Sequence, residues 1–99
     1  MIYYFSMKHT TCPIARVAEL LSDTWTMLII RDLLKHSMRF SELERSLAGI
    51  STRTLTLKLN RLVEKGIVEK TDEGYILTEH AQKLREVIDA MDRFGKAVF

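Results

Sequence analysis

A mainly α-helical fold carrying one small β-hairpin is what the sequence predicts, and three observations predict it. Apolar residues recur at helical spacing along most of the chain, two short β-prone runs flank a turn cluster near residue 72, and the few glycines and the single proline fall at segment borders. Ninety-nine residues supply material for one core, so the expected organisation is a single domain over 1–99, with 1–11 as an N-terminal extension. A hydrophobic content of 46% beside 28% charged residues excludes a disordered chain. One cysteine excludes an internal disulfide framework and a cysteine-rich zinc site, and it points to the cytosol. The apolar start Met1-Ile2-Tyr3-Tyr4-Phe5-Ser6-Met7 is too short for a signal peptide and lacks its positive opening, with Met7 an alternative start. No run is long enough to span a membrane, so no membrane partner is expected.

The elements follow in order. Thr10-Thr11-Cys12-Pro13 reads as a helix entry with proline at the first helical position, and the helix runs to about Leu21. Ser22-Asp23-Thr24 offers N-cap oxygens to Trp25–Leu34, a segment apolar on nearly all sides and therefore the buried central helix, with Trp25 in the core. Ser41 and Glu44 fit a capping box opening a short helix to Leu47. Ala48-Gly49-Ile50 is a tight turn, Ser51 caps a helix from Thr52 to Lys65, and Gly66 ends it. Two helices joined by so tight a glycine turn make a helix-turn-helix. Ile67–Lys70 and Tyr75–Leu77 form a hairpin around Thr71–Gly74, and Thr78 caps a last helix from about Glu79 to Phe94 with Gly95 near its end. The whole reads as a winged helix-turn-helix.

Charge locates the functional surface. Residues 35–70 hold eight basic and four acidic side chains, whereas residues 71–99 hold four and six, so one basic face stands on an otherwise balanced molecule. At about 100° per residue, Leu55, Leu59, Leu62 and Val63 form the core stripe of the helix from Thr52. The opposite side gathers Arg53, Thr54, Leu57, Asn60 and Arg61, with Thr52 at the exposed end and Lys58 and Lys65 on the flank. Arginine, asparagine and threonine hydrogen-bond base edges or phosphates, and an aliphatic side chain meets a thymine methyl, so this face suits a major groove. A solvated amphipathic helix would carry similar residues; the glycine turn before it and the hairpin after it favour the DNA reading. Arg39, Ser41, Ser51 and Lys70 complete the candidate DNA contacts, although Glu69, Asp72 and Glu73 make the hairpin a weak phosphate binder.

The string Cys12-Pro13, Trp25-Thr26, Leu28-Ile29, Arg31-Asp32-Leu33-Leu34, Arg39-Phe40-Ser41-Glu42-Leu43, Gly49-Ile50-Ser51, Leu55-Thr56, Leu59, Leu62, Gly66 and Leu77-Thr78-Glu79 resembles the HxlR-type (DUF24) winged helix-turn-helix transcription regulators. The resemblance spans about Cys12 to Gly95. It implies a homodimeric, sequence-specific DNA-binding regulator with dimer contacts from its first and last helices. It also implies that Cys12 corresponds to a cysteine some members use to sense oxidants or electrophiles. The wing here is shorter than the family's and lacks its proline and arginines, Leu57 stands where a polar residue is common, and Ala81 where glycine is common.

Leu84, Val87, Ile88, Met91 and Phe94 form a stripe broader than one small core needs, which marks 79–99 as a dimerisation helix and implies an inverted-repeat DNA operator. His9, His36 and His80 are expected on the surface, and no metal, cofactor or catalytic constellation is expected. Cys12 admits two readings, a small buried side chain or a thiolate at a helix N-terminus. Rival functions are a winged-helix module whose exposed helix binds a protein and, more weakly, a thiol enzyme built on Cys12.

Overall fold

The computed structural model describes residues 11–99. The elements run α1 (Pro13–Leu20), α2 (Thr24–Leu33), α3 (Phe40–Ser46), α4 (Thr52–Glu64), β1 (Val68–Thr71), β2 (Gly74–Leu77), a 3-10 turn (His80–Lys83) and α5 (Leu84–Val98). The N-terminal extension up to residue 10, His9 included, lies outside the described residues.

Helix α1 begins as the proline predicts, with Cys12 at the N-cap position, but it buries none of its residues, and Ile14 is 80% exposed. Helix α2 is the centre of the molecule. Asp23 is the N-cap, accepting from the Thr26 amide at 3.0 Å and the Thr26 hydroxyl at 2.5 Å, while Ile29, Ile30 and Leu33 disappear into the core. Trp25 is half-buried against that core rather than inside it. Asp32, only 2% exposed, is a charged group the apolar pattern of α2 does not announce. It accepts from Arg31 at 2.9–3.0 Å and from the Ser46 hydroxyl at 2.6 Å, so α2 and α3 are joined through a partnered buried carboxylate.

The capping box is displaced by two residues. Phe40, packed against the core, starts α3 two residues earlier than Ser41 predicts, and Glu42 rather than Glu44 reaches back, accepting from the Arg39 amide at 2.9 Å. Between α3 and α4, Gly49 turns the chain at φ 97°, a region open to glycine at little steric cost, and Ser51 caps α4 by accepting from the Thr54 amide at 3.0 Å. Leu55, Leu59 and Leu62 are buried as the periodicity requires; Val63, at the edge of that stripe, is 41% exposed and does not belong to it. Helix α4 closes in a Schellman motif, with the Ile67 amide on the Leu62 carbonyl at 2.9 Å and the Gly66 amide on the Val63 carbonyl at 3.1 Å.

The hairpin is shifted by one residue from the sequence reading and closes over Asp72-Glu73. Its register is Val68↔Leu77, Glu69↔Ile76, Lys70↔Tyr75 and Thr71↔Gly74, antiparallel. A third, one-residue strand is new: Met38 bridges Tyr75, each amide donating to the other's carbonyl at 3.1 and 2.8 Å. This bridge clips the segment between α2 and α3 to the wing. Beyond the wing, Thr78 donates to the Gly66 carbonyl at 2.8 Å and accepts only at 3.4 Å from Ala81, so the chain makes a 3-10 turn before α5 begins at Leu84. That is five residues later than Thr78 capping alone predicts, and α5 continues through Gly95 to Val98. No helix of the described residues is long and apolar enough to cross a membrane.

One core unites α2, α3, α4 and the hairpin, with Leu43, Leu47, Val68, Leu77 and Ala81 filling around Ile29 and Ile30. Helix α3, its turn and α4 are the helix-turn-helix; β1 and β2 are the wing.

Candidate nucleic-acid interface

The back of α4 is fixed by three fully buried leucines, so its front is presented as a rigid surface. Arg53, Leu57, Asn60 and Arg61 stand exposed there, at spacings of four, three and one, on one side of the helix. None of the three polar members makes a hydrogen bond or ion pair with the described residues beyond its helical backbone bonds. Leu57 is 53% exposed in the middle of the row.

The first turn of α4 is built for stability. Ser51 accepts from Thr54 and its hydroxyl donates to the Thr54 hydroxyl at 2.9 Å, while the Thr52 hydroxyl donates to Glu44 at 2.6 Å, tying α4 to α3. Thus Ser51, Thr52 and Thr54 position the helix through their hydroxyls, while Ser51 and Thr52 remain exposed at its N-terminal end. Arg39 and Ser41 are exposed at the N-terminal end of α3.

Lys58 departs most from its predicted role. Its ammonium lies 3.1 Å from Asp23, on the flank facing α2, and its side chain is largely covered. Burial disfavours the charged form of Asp23, but hydrogen bonds from Thr26 and Lys58 outweigh it, and the carboxyl lies below the ordinary carboxylate value. This pair couples the N-cap of the central helix to the middle of α4. Sequence reasoning found Asp23 as a cap candidate and Lys58 as a flank cation; nothing in their spacing joins them.

The wing carries one cation and two exposed tip carboxylates. Lys70, expected at the hairpin base, sits one pair from the tip with its ammonium 5.8 Å from the centre of the Tyr75 ring. Cys12 is exposed at the N-terminus of α1, which overturns the buried reading of its side chain. His36 and His80 are exposed as expected, and no group of metal-ligating residues is found among the described residues.

On α5 the predicted stripe divides. Leu84 and Ile88 are half-buried against the chain's own core, whereas Val87, Met91, Phe94 and Val98, at spacings of four, three and four, are exposed. Arg85 points the other way and donates to the Leu34 carbonyl at 2.6 Å, capping the C-terminal end of α2.

The helix-turn-helix with its hairpin defines a winged-helix regulator. Residues 20–99 match the HxlR-like helix-turn-helix family, and the chain belongs to it: it is a transcription regulator of HxlR type. The chain is 35% identical over 91 residues to the HTH-type transcriptional regulator sll1512 of Synechocystis, covering 85% of this chain and 67% of that one. Among solved structures, the quinone-bound YodB of B. subtilis superposes with a TM-score of 0.80 at 31% identity, covering 87% of this chain and 99% of that one. The redox regulator HypR in its reduced form superposes with a TM-score of 0.81 at 25% identity, covering 87% and 92%.

Proposed function

We propose that this regulator is a homodimer that binds an inverted-repeat DNA operator through α4, in the cytoplasm, without catalysing a reaction. The observation that carries the reading is the outward row Arg53, Leu57, Asn60 and Arg61, polar groups without a partner among the described residues on a helix whose back face and first turn are locked. Arg53, nearest the helix N-terminus, reaches base edges; Arg61, eight residues on, lies toward the groove exit and meets phosphate; Leu57 between them meets a thymine methyl. Arg39 and Ser41 contribute backbone contacts from α3. The wing adds little, since Lys70 is flanked by Asp72 and Glu73. The test is selection of bound duplexes from a random pool. An enriched inverted repeat is the expected result, and no enrichment over input would defeat the reading.

Exposed Leu57 and the acidic wing tip favour a second reading, in which α4 docks on a protein. A salt titration separates the two, because each neutralised phosphate contributes about −0.9 to the logarithmic slope of DNA affinity.

The dimer uses the exposed row of α5 with Ile14 and Val17 of α1. Cys12 is the sensing thiol of this reading, supported by its exposure at the start of α1 and by the likeness to YodB and HypR. A peroxide oxidises the single cysteine of each chain to a sulfenic acid and is itself reduced, and a small thiol or the partner subunit's thiol then converts that acid to a disulfide with release of water; diamide, reduced to its hydrazine, joins the same thiol to a second one as a disulfide, and a quinone adds to it as a thioether. Diamide or a quinone should therefore change operator affinity in the wild type and leave Cys12→Ser unaffected.

A further inference from the structure

Between α1 and the C-terminal half of α4 lies a cleft of about 630 Å3. Arg16 of α1 and Lys58, Arg61 and Lys65 of α4 line it, against the carboxylates Glu19 and Asp23. Lys58 and Asp23 satisfy each other at 3.1 Å. Arg16, Arg61 and Lys65 remain, exposed and without an ion pair among the described residues, with Glu19 as the one carboxylate not already paired. Three cations without an ion pair among the described residues line this recess from two elements against a single unpaired carboxylate, so it carries a net positive charge that a bound anion offsets. The recess is lined more by polar than by apolar groups, Leu62 being almost fully covered, so it suits a compact, strongly charged anion better than a flat apolar one.

Two further features define its setting. On α1, Arg16 and Glu19 lie on the side away from Ile14 and Val17, so a second copy covering those apolar residues leaves the cleft open. Helix α1 also buries none of its own residues, and a ligand bridging Arg16 to α4 would fix it in place.

We propose that this cleft binds a small multivalent oxyanion, a phosphate or polycarboxylate compound, between Arg16 and the Arg61–Lys65 pair, and that occupancy weakens DNA binding; the second half rests on the reading of α4 as the DNA-contacting helix. Arg61 connects the two sites. It belongs both to the outward row and to the cleft rim, so a ligand that engages its guanidinium competes with phosphate for the same donors. The coupling is reciprocal: DNA lowers anion affinity by the factor by which the anion lowers DNA affinity. A free anion is favoured over the DNA backbone as occupant because Lys58 and Lys65 sit about 140° and 120° around the helix from Arg53, off the groove-facing side.

The test is an amide-shift titration of the 15N-labelled full chain, without DNA, with inorganic pyrophosphate and with citrate at fixed ionic strength. Saturable shifts confined to residues 16–26 and 58–67 are expected. Preference for one probe identifies the phosphate or carboxylate chemistry. Arg16→Ala should raise the anion Kd about tenfold or more while leaving anion-free DNA affinity unchanged. Absence of saturable shifts, shifts spread equally over Arg39, Arg53 and Lys70, or full affinity in Arg16→Ala would overturn the site. Cleft shifts produced by duplex DNA but by neither probe would assign it to the DNA backbone and overturn it too. Anion binding that leaves operator affinity unchanged would overturn the coupling. If the chain binds the anion and no DNA at all, the site stands and the reading of α4 falls.

Discussion

Lys58 and Arg61 are three residues apart on the same helix, and the fold gives them opposite tasks. The covered ammonium of Lys58 completes a cap network around Asp23, whereas the guanidinium of Arg61 stays outward. Arg53→Ala should therefore cost about 1–3 kcal/mol of operator affinity and relax preference at one base pair, as read by competition with substituted duplexes. Arg61→Ala should weaken all sequences alike and reduce the salt slope by about one. Asp23 gives a pH signature. Its carboxyl titrates below the ordinary value because bonds from Thr26 and Lys58 outweigh the effect of burial, so the unfolded state takes up its proton first. The resulting stability is fully present above the unfolded value of about 3.9 and is lost as pH falls through the lower folded value. Asp23→Asn keeps a cap acceptor and loses the charge pair. Denaturation curves of the two proteins should differ at neutral pH and converge in strong acid; a gap that stays constant down to pH 2 would contradict the assignment.

The helices were legible because burial imposes a period. Leu55, Leu59 and Leu62 announce the inner face of α4, and Pro13, Gly49 and Gly66 punctuate the chain where its direction changes. What escaped the sequence is set by contacts between elements. Phe40 moves the start of α3 because it packs on the core, and Thr78 delays α5 because its hydroxyl is drawn to the Gly66 carbonyl. The Met38 bridge is a single residue with no alternating pattern to reveal it. The outward row on α4 was readable; the diversion of Lys58 to Asp23, 35 residues earlier, was not. Gly74 tests the bridge. It has φ 120°, and a Cβ there would lie 2.7 Å from the Met38 carbonyl oxygen, a backbone atom that moves only if the bridge breaks. Gly74→Ala should cost at least about 1–3 kcal/mol in chemical denaturation and raise amide exchange at Met38 and Tyr75. Gly49→Ala, strained in φ but with open space around it, should be milder and leave that exchange unchanged.

At the scale of the whole molecule, the outer face of α5 is the surface through which the proposed dimer forms. Val87, Met91, Phe94 and Val98 repeat at four, three and four residues, the spacing of a seam between helices, and Phe94 is 63% exposed. The inner residues Leu84 and Ile88 belong to the protomer's own core, so the two sets are separable by mutation. Met91→Asp or Phe94→Asp places a carboxylate in the proposed seam and should give a monomer by sedimentation, with helix content preserved and the melting temperature lowered only by the loss of association. Ile88→Asp should lower the melting temperature further, since it disturbs the core beside α2. In the proposed dimer two copies of α4 would make the second half-site contact intramolecular, so the monomeric variants should lose about a hundredfold or more in affinity for the inverted repeat while binding an isolated half-site as the wild type does. A wild-type chain that sediments as a monomer at micromolar concentration, or a Phe94→Asp variant that binds the full operator undiminished, would show that α5 carries no dimer.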